Sequence, residues 1–380
     1  MTKHTPPNLI NHVVTVRPVM PEDAPSPHPL PSTDHHPDDQ LTARDHPRLR
    51  WRWTDDPADP GRRLLHHPDV QRLAAEIAPG ASFTDLGGVM SLNVRLDPPG
   101  LVLRVHQAHV SRARLLAVQE VRRRLADHGL LVATALPWRG ATVFRCGTRW
   151  AELERYLPNE RLAPTLDSHT WLFDAMGTLH RALSSLTLAV PRPVDATFAP
   201  PGSLRRWVAV TEAAARHDPG AAEIARLVHA LIRRLRRQWV PASDLPVQLV
   251  HGDGRLSNVR RTPEGQTVYF DFGFLAARPR IHDLAYSLAF TVWALDHLGA
   301  QEHFPWECVP QLVDAYEAAA QVRLTAAEKR ALVPYTAAVP LFKAALDGFT
   351  EDPAGTLRTR VPFLRLSDWL LSHPELIPSF

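Results

Sequence analysis

The chain has 380 residues, 44% hydrophobic and 22% charged, with a formal net charge of +3. It is too long for one ordinary domain, too apolar for global disorder, and too nearly neutral for a nucleic-acid-binding surface. Two cysteines, Cys146 and Cys308, exclude a disulfide framework, and no run of about 18 apolar residues marks a membrane span.

Residues 1–47 are rich in Pro and His, with few aromatics, and read as a disordered tail. His35, His36, Asp38 and Asp39 could bind a metal, but nothing around them holds ligands in place, so a solvated tail is expected. Folded patterning starts near Pro68 with the amphipathic run DVQRLAAEIA, a helix closed by Pro79-Gly80. Three strand-like runs follow: SFTDLGG, SLNVRL and, after the turn Asp97-Pro98-Pro99-Gly100, LVLRVH. A helix spans about Ser111 to His128 and stops at Gly129. Strand runs near 131–136 and 141–146 lead into WAELERYLP, read as a linker. Residues 48–155 thus form a small β unit with one main helix, and residues 156–380 a larger, mainly helical unit. In the latter, Leu166–Leu186 has apolar residues at helical spacing. Residues 203–240 add further helices, with the basic run LIRRLRRQW expected as a solvated face. Helical order breaks for VQLVHGD and TVYFDFG, which flank RRTPEGQ with its Pro-Glu-Gly turn. Helices resume near 282 and run to the C-terminus, and no internal repeat is present.

The chemistry concentrates in residues 249–274, LVHGDGRLSNVRRTPEGQTVYFDFGF. Asp253 follows an apolar strand and lies on a loop, where a carboxylate can accept the hydrogen of an acceptor hydroxyl and orient it. Five residues on, Asn258 offers a neutral carbonyl oxygen. Asp271, at the end of the next strand, offers a charged one, a pairing that suits a hard cation such as Mg2+. Gly273 is expected to let the backbone turn sharply. A hairpin between the two acids lets all three groups converge, which is what phosphoryl transfer from a nucleotide needs.

The pattern His-Gly-Asp-x-x-x-x-Asn followed by Phe-Asp-Phe-Gly resembles the aminoglycoside phosphotransferase and choline kinase family, related in fold to protein kinases. The resemblance implies an α+β, bilobal, protein-kinase-like fold: a small antiparallel β N-lobe with one main helix and a larger, mainly helical C-lobe. It implies ATP and Mg2+ as cofactors and a small-molecule hydroxyl as acceptor. Carried over, Asp253 is the catalytic base, Asn258 and Asp271 hold the metal, and His251 supports the loop. Asp283, in PRIHDLAYSLAF, resembles the acid that opens the next helix and braces the loop. Gly87-Gly88-Val89-Met90-Ser91-Leu92-Asn93 resembles the nucleotide loop, with Gly87, Gly88, Ser91 and Asn93 as nucleotide contacts. Arg104 stands where the fold places a lysine that pairs with nucleotide phosphates, and arginine is bulkier and forked. Glu120, sixteen residues on, stands where that cation's carboxylate partner is expected. Residues 152–158 resemble the hinge that carries adenine through backbone amides. The resemblance covers about 70–380.

The acceptor is less legible. An aminoglycoside calls for an acidic pocket, and the C-terminal third offers Asp296, Glu302, Glu307, Asp314, Glu317, Asp347, Glu351 and Asp352. Most are spaced as exposed helix residues. Choline calls for an aromatic cage, but Trp293, Trp306 and Trp369 read as core. A homoserine-like amino acid or a sugar hydroxyl stays open. The alternative, motivated by Arg104 and the tail, is a nucleotide-binding pseudokinase. A protein kinase is opposed by the helical insert and by the absence of an Ala-Pro-Glu segment after Gly273. A soluble cytoplasmic protein with no nucleic-acid or membrane partner is expected, its oligomeric state open.

Overall fold

The computed structural model describes residues 67–376 apart from 88–90, 108, 194–196, 296–299 and 351, together with two short strands. Those strands, β1 (Val16–Pro18) and β2 (Trp51–Trp53), pair antiparallel. The rest of the segment read as a disordered tail, with His35, His36, Asp38 and Asp39, lies outside the described residues.

Helix α1 (Pro68–Ile77) begins where the His67 side chain accepts from the Asp69 N–H and Pro68 presets the first turn. It buries Val70, Leu73 and Ala74 on one stripe. Strands β3 (Ser82–Asp85), β4 (Ser91–Asp97) and β5 (Leu101–His106) follow as an antiparallel meander. In β4 the fully buried positions Leu92, Val94 and Leu96 alternate with partly exposed ones, the period of two that a half-buried strand requires. Helix α2 (Arg112–Asp127) is capped by Ser111, whose hydroxyl accepts from the Arg114 N–H. The run at 131–136 splits into β6 (Leu131–Val132) and β7 (Ala135–Leu136), which join different sheets. β8 (Phe144–Cys146) then leads into β9 (Arg149–Arg155).

The segment expected as a linker is therefore mostly strand. β9 sits between β5 and β7, inside the sheet. Ala151 and Leu153 enter the small core with Leu103 and Val105, while Glu152 and Glu154 are also buried, on the opposite face. Two acids at alternate positions look like a solvent-facing segment. Here cations from another element cover them.

The helical half starts with α3 (Leu166–Ser184), opened by a reciprocal Thr165–Ser168 capping box. Helices α4 (Pro201–Ala215) and α5 (Pro219–Gln238) follow. In α5 the residues Ala221, Ala225, Val228, Ile232 and Leu235 form the buried stripe, and Arg233, Arg236 and Arg237 face solvent as the basic run suggested. Strand β10 (Val247–Val250) precedes the hairpin of β11 (Val259–Arg261) and β12 (Thr267–Tyr269). VQLV does not pair with TVY. β10 pairs with β13 (Ala276–Pro279), and β12 pairs with β11 on one side and, in parallel, with β6 on the other.

Helices α6 (Ile281–Ala294), α7 (Val309–Ala320), α8 (Ala326–Ala345), α9 (Pro353–Thr359) and α10 (Val361–Ser372) complete the chain. α3 and α7 pack closely because position 177 is glycine: a Cβ there would lie 2.4 Å from the Tyr316 carbonyl oxygen. The larger core runs from Leu172 and Phe173 of α3 through α6 and α8, and takes in Val118, Val121 and Leu125 of α2. The main helix of the β unit is thus fastened apolarly to the helical half. Among the described residues no helix is long and apolar enough to cross a membrane.

Candidate active site

The loop after β10 is built on its backbone. Gly252 has φ of +82°, and a Cβ there would lie 2.7 Å from the Phe274 carbonyl oxygen. Only glycine satisfies both the conformation and the close approach. Asp283, in the first turn of α6, is fully buried and accepts from the N–H groups of His251 at 2.8 Å and Gly252 at 2.9 Å, and from His180 Nε2 at 3.0 Å. Burial alone would raise its pKa, but the His180 hydrogen bond and the neighbouring histidines pull it down to about 2. The His251 ring donates from Nε2 to the Phe270 carbonyl at 2.8 Å, and its Nδ1 accepts from the Asp253 N–H at 3.2 Å. These two partners assign the proton to Nε2, and His251 ties the Asp253 loop to the strand that ends before Asp271.

Asp253 is 1% exposed. Its Oδ2 accepts from Asn258 Nδ2 at 2.7 Å and from an Arg255 terminal nitrogen at 3.0 Å. Arg255 Nε lies 2.9 Å from Oδ1, yet neither atom has an aligned hydrogen bond, so the ion pair leaves an acceptor lone pair unmet. The Arg255 charge is held by Asp253 and, more weakly, by Asp271, so both carboxylates act on one guanidinium. The Tyr286 hydroxyl is pushed well above its ordinary range by burial and the Asp253 charge, and stays protonated.

Asn258 and Asp271 meet through the hairpin: the Asn258 carbonyl accepts from the Phe270 N–H at 2.8 Å, one residue before Asp271. Asp271 itself carries the sharp turn, with φ of 56° and ψ of 66°, and its Oδ1 caps the Gly273 N–H at 3.4 Å. Gly273 has no positive φ, so the expectation that it supplies the turn is corrected. A left-handed non-glycine residue is uncommon, and Asp is among the few side chains that tolerate it. The result is a carboxylate about one third exposed, aimed across the cleft between the halves.

On the sheet side, Gly87 adopts φ of +77° and its N–H donates to Asp85 Oδ1 at 2.8 Å. Asn93 Nδ2 donates to the Gly87 carbonyl at 2.8 Å, and the Ser91 hydroxyl donates to Asn93 Oδ1 at 3.2 Å. Gly87, Ser91 and Asn93 therefore knit the turn together. Gly88 lies outside the described residues. Ser91, Arg104, Arg114, Glu152 and Arg192 line one cleft with Asp271. The sheet-side cation and the acid after the hairpin thus face the same space.

Glu120 does not reach Arg104. It is on the outer face of α2, where it pairs with Arg123 at 2.7 Å and Arg124 at 2.8 Å. The inward positions one residue before and two after are Gln119 and Arg122. Arg104 instead lies 3.9 Å from Glu154 and 4.0 Å from Asp271, and its Nε is buried without a hydrogen bond. Arg122 bridges Glu152 and Glu154, Gln119 donates to Glu152 at 2.8 Å, and His106 Nε2 lies 3.1 Å from Glu152. Burial works to raise the Glu152 pKa, but Arg122, His106 and Arg104 hold it well below the usual carboxylate range. The carboxylates around Arg104 thus come from β9, and α2 supplies a cation where an acid was expected. Arg114, also unanticipated, donates to the carbonyls of Gly273 at 2.7 Å and Leu275 at 3.0 Å. It latches α2 to the loop after Asp271, and burial lowers its pKa to about 10. Its sequence signal is only an arginine in the first turn of a helix, where cations are disfavoured by the dipole.

Among the described residues no group of three or more His, Cys, Asp and Glu side chains forms a metal site. Asn258 Oδ1 and the Asp271 carboxylate, at the two ends of the β11–β12 hairpin, nevertheless offer two hard oxygens. That small set fits Mg2+, which keeps waters and takes phosphate oxygens for its remaining ligands.

Residues 86–330 match the phosphotransferase enzyme family. No curated protein matches the sequence. The chain superposes on a microcompartment-associated aminopropanol kinase at 19% identity, covering 81% of this chain and 98% of that one, with a TM-score of 0.63. It is similar to a choline kinase from Cryptosporidium parvum at 12% identity, with coverage of 80% and 93% and a TM-score of 0.54. An aminoglycoside phosphotransferase from Alicyclobacillus acidocaldarius matches at 14% identity, with coverage of 80% and 96% and a TM-score of 0.51. These likenesses establish a protein-kinase-like fold, with an antiparallel sheet first and a helical region after it.

Proposed function

The chain belongs to the phosphotransferase enzyme family, and on that premise we propose that it transfers the γ-phosphoryl group of ATP to a hydroxyl of a small molecule, with Asp253 as base. Asn258 and Asp271 would hold Mg2+, which supplies charge neutralisation on the phosphates when bound. The acceptor oxygen bonds to the γ-phosphorus, the bond to the bridging oxygen breaks, and ADP leaves with that electron pair. The hydroxyl proton passes to the Asp253 carboxylate and from there to solvent. Arg104 and the turn that Gly87, Ser91 and Asn93 knit together meet the phosphates, and Arg114 holds the loop that presents Asp271.

The observation that carries this reading is a buried carboxylate, fixed by Asn258 and paired with Arg255 on a backbone-anchored loop. Its Oδ1, 2.9 Å from the Arg255 Nε, has a second lone pair that an acceptor hydroxyl can use. The test is nucleotide turnover with an acceptor panel. Asp253→Asn should lower kcat by about a thousandfold while the melting curve and ATP binding persist. An unchanged rate removes Asp253 as the base, and ATP binding with no transfer from the wild type to any hydroxyl removes the reading.

A further inference from the structure

The cleft shared by Arg104 and Asp271 holds more positive charge than its carboxylates balance. It is a cavity of about 140 Å³, lined by Arg104, Arg114, Arg122 and Arg192 against Glu152 and Asp271. Three of these arginines have partners. Arg122 is spent on Glu152 and Glu154, and Arg114 on the carbonyls of Pro191, Gly273 and Leu275. Arg104 lies between Glu154 and Asp271. The fourth, Arg192, is exposed, and among the described residues no hydrogen bond or ion pair involves it.

The segment joining α3 to α4 puts Arg192 there. It stands between Pro191 and Pro193, and a proline fixes its own φ and keeps the residue before it extended. The segment is fastened on both sides of Arg192. Before it, the Pro191 carbonyl accepts from Arg114, the guanidinium that also holds the loop after Asp271. After it, the buried Thr197 hydroxyl donates to the Gly252 carbonyl at 2.6 Å. Arg278 at 3.2 Å and His282 Nε2 at 3.0 Å fill the acceptor lone pairs of that hydroxyl. The arginine is thus carried between one anchor shared with the Asp271 loop and another on the Asp253 loop, which reduces the entropy lost when it engages a ligand.

We propose that Arg192 is a further catalytic residue, which binds the terminal phosphoryl group of the nucleotide from the helical half while Arg104 binds the inner phosphates from the sheet half. A guanidinium fork matches two phosphate oxygens, and an arginine with no partner engages them without first breaking a bond. The allocation follows from the half that carries each group. The acceptor hydroxyl belongs to Asp253, on the helical half, and the reacting phosphoryl group must lie between that hydroxyl and the inner phosphates. A cation from the helical half therefore meets the group in transfer, whose charge is spread over its oxygens in the transition state.

The inference rests on the phosphotransferase reading, and the experiment separates the two. The whole protein, with Mg2+ present, is titrated calorimetrically with ADP and with an ATP analogue whose β–γ bridge is an uncleavable imide. Turnover of ATP with the acceptor panel is measured alongside. Arg192→Met should weaken the triphosphate by about tenfold and leave ADP within about twofold. It should lower kcat by about tenfold or more with the melting curve unmoved, and Arg192→Lys should fall between, because a point charge replaces a fork. Arg237→Met removes the same charge from the exposed face of α5 and should change neither nucleotide. An equal loss for ADP and the triphosphate, an equal effect of Arg237→Met, or no loss at all overturns the inference. A triphosphate preference that Arg192→Met abolishes, with no transfer to any hydroxyl, sustains Arg192 as the terminal-phosphate cation and removes phosphotransfer. Transfer at the wild-type rate in Arg192→Met overturns the inference and leaves phosphotransfer standing.

Discussion

Two regions of this molecule bury carboxylates, and they satisfy them in different ways. Beside the loop after β10, Asp283 is held by two backbone N–H groups and one histidine. In the sheet half, Glu152 and Glu154 are held by side chains: Arg122, Gln119 and His106. Backbone donors are fixed by the fold and survive every substitution but proline. Side-chain donors can be removed. The loop therefore supplies fixed backbone donors to the Asp283 carboxylate of α6, whereas the carboxylates around Arg104 depend on side-chain donors from α2 and β5.

The sharpest way to break that contrast is Arg122→Met. It leaves two buried carboxylates without their main cation, and the expected cost is about 3–5 kcal/mol of stability. Chemical denaturation reads it, and Glu152→Gln in the same chain should restore part of the loss by removing one uncompensated charge. The pH response follows in sign. Glu152 is held below its ordinary value of 4.5, so its stabilisation is present above that value and is lost as pH falls toward the depressed one. Wild type should lose stability on that acid side, and Arg122→Met should lose less there. A variant as stable as wild type would mean that the pair contributes nothing net.

A smaller effect is expected at Arg104, where the two regions meet. Its contacts with Glu154 and Asp271 are long, 3.9 and 4.0 Å, and its Nε is unpaired. The guanidinium is held charged and close, but not consumed, which suits a group that awaits phosphate oxygens. Arg104→Met should raise the nucleotide KM by about tenfold, with Arg104→Lys in between, because a point charge replaces a fork. If Arg104→Met leaves the nucleotide KM unmoved, Arg104 serves only to balance β9.

How much of this was legible in the sequence follows the same division. Asp253 and Asn258 lie five positions apart on one loop and hydrogen-bond at 2.7 Å, and Asp271 follows the next hairpin, so local spacing was enough to place all three on consecutive segments. The left-handed turn at Asp271 was assigned to Gly273 because glycine is the default for that conformation, while Asp adopts it more rarely. β9 was read as a linker because it ends the run of strands before the helical half, and what covers its acids lies about thirty residues away on α2. A signal was present: Ala151 and Leu153 alternate with Glu152 and Glu154, and Gln119 and Arg122 are spaced three apart on a helix. Joining the two patterns requires knowing which face of α2 meets the sheet. Helix α8 is less legible still, since it is buried nearly all round and its sequence offers no phase.

The helix phase gives the smallest expected effect and a clean check. Adjacent residues on a helix point about 100° apart. Gln119 and Arg122, three apart, share the inner face, and Glu120 turns outward with Arg123 and Arg124. Its carboxyl pKa falls to about 2 through those two arginines, but the group is 36% exposed, so solvent screens most of that interaction. Glu120→Ala should therefore change stability by less than about half a kcal/mol and leave the nucleotide KM within about twofold of wild type. Denaturant melts and initial-rate kinetics read both. A tenfold rise in the nucleotide KM would require α2 to be rotated by about one residue from the phase described, exchanging Glu120 for Gln119 at Glu152 and returning Glu120 to Arg104.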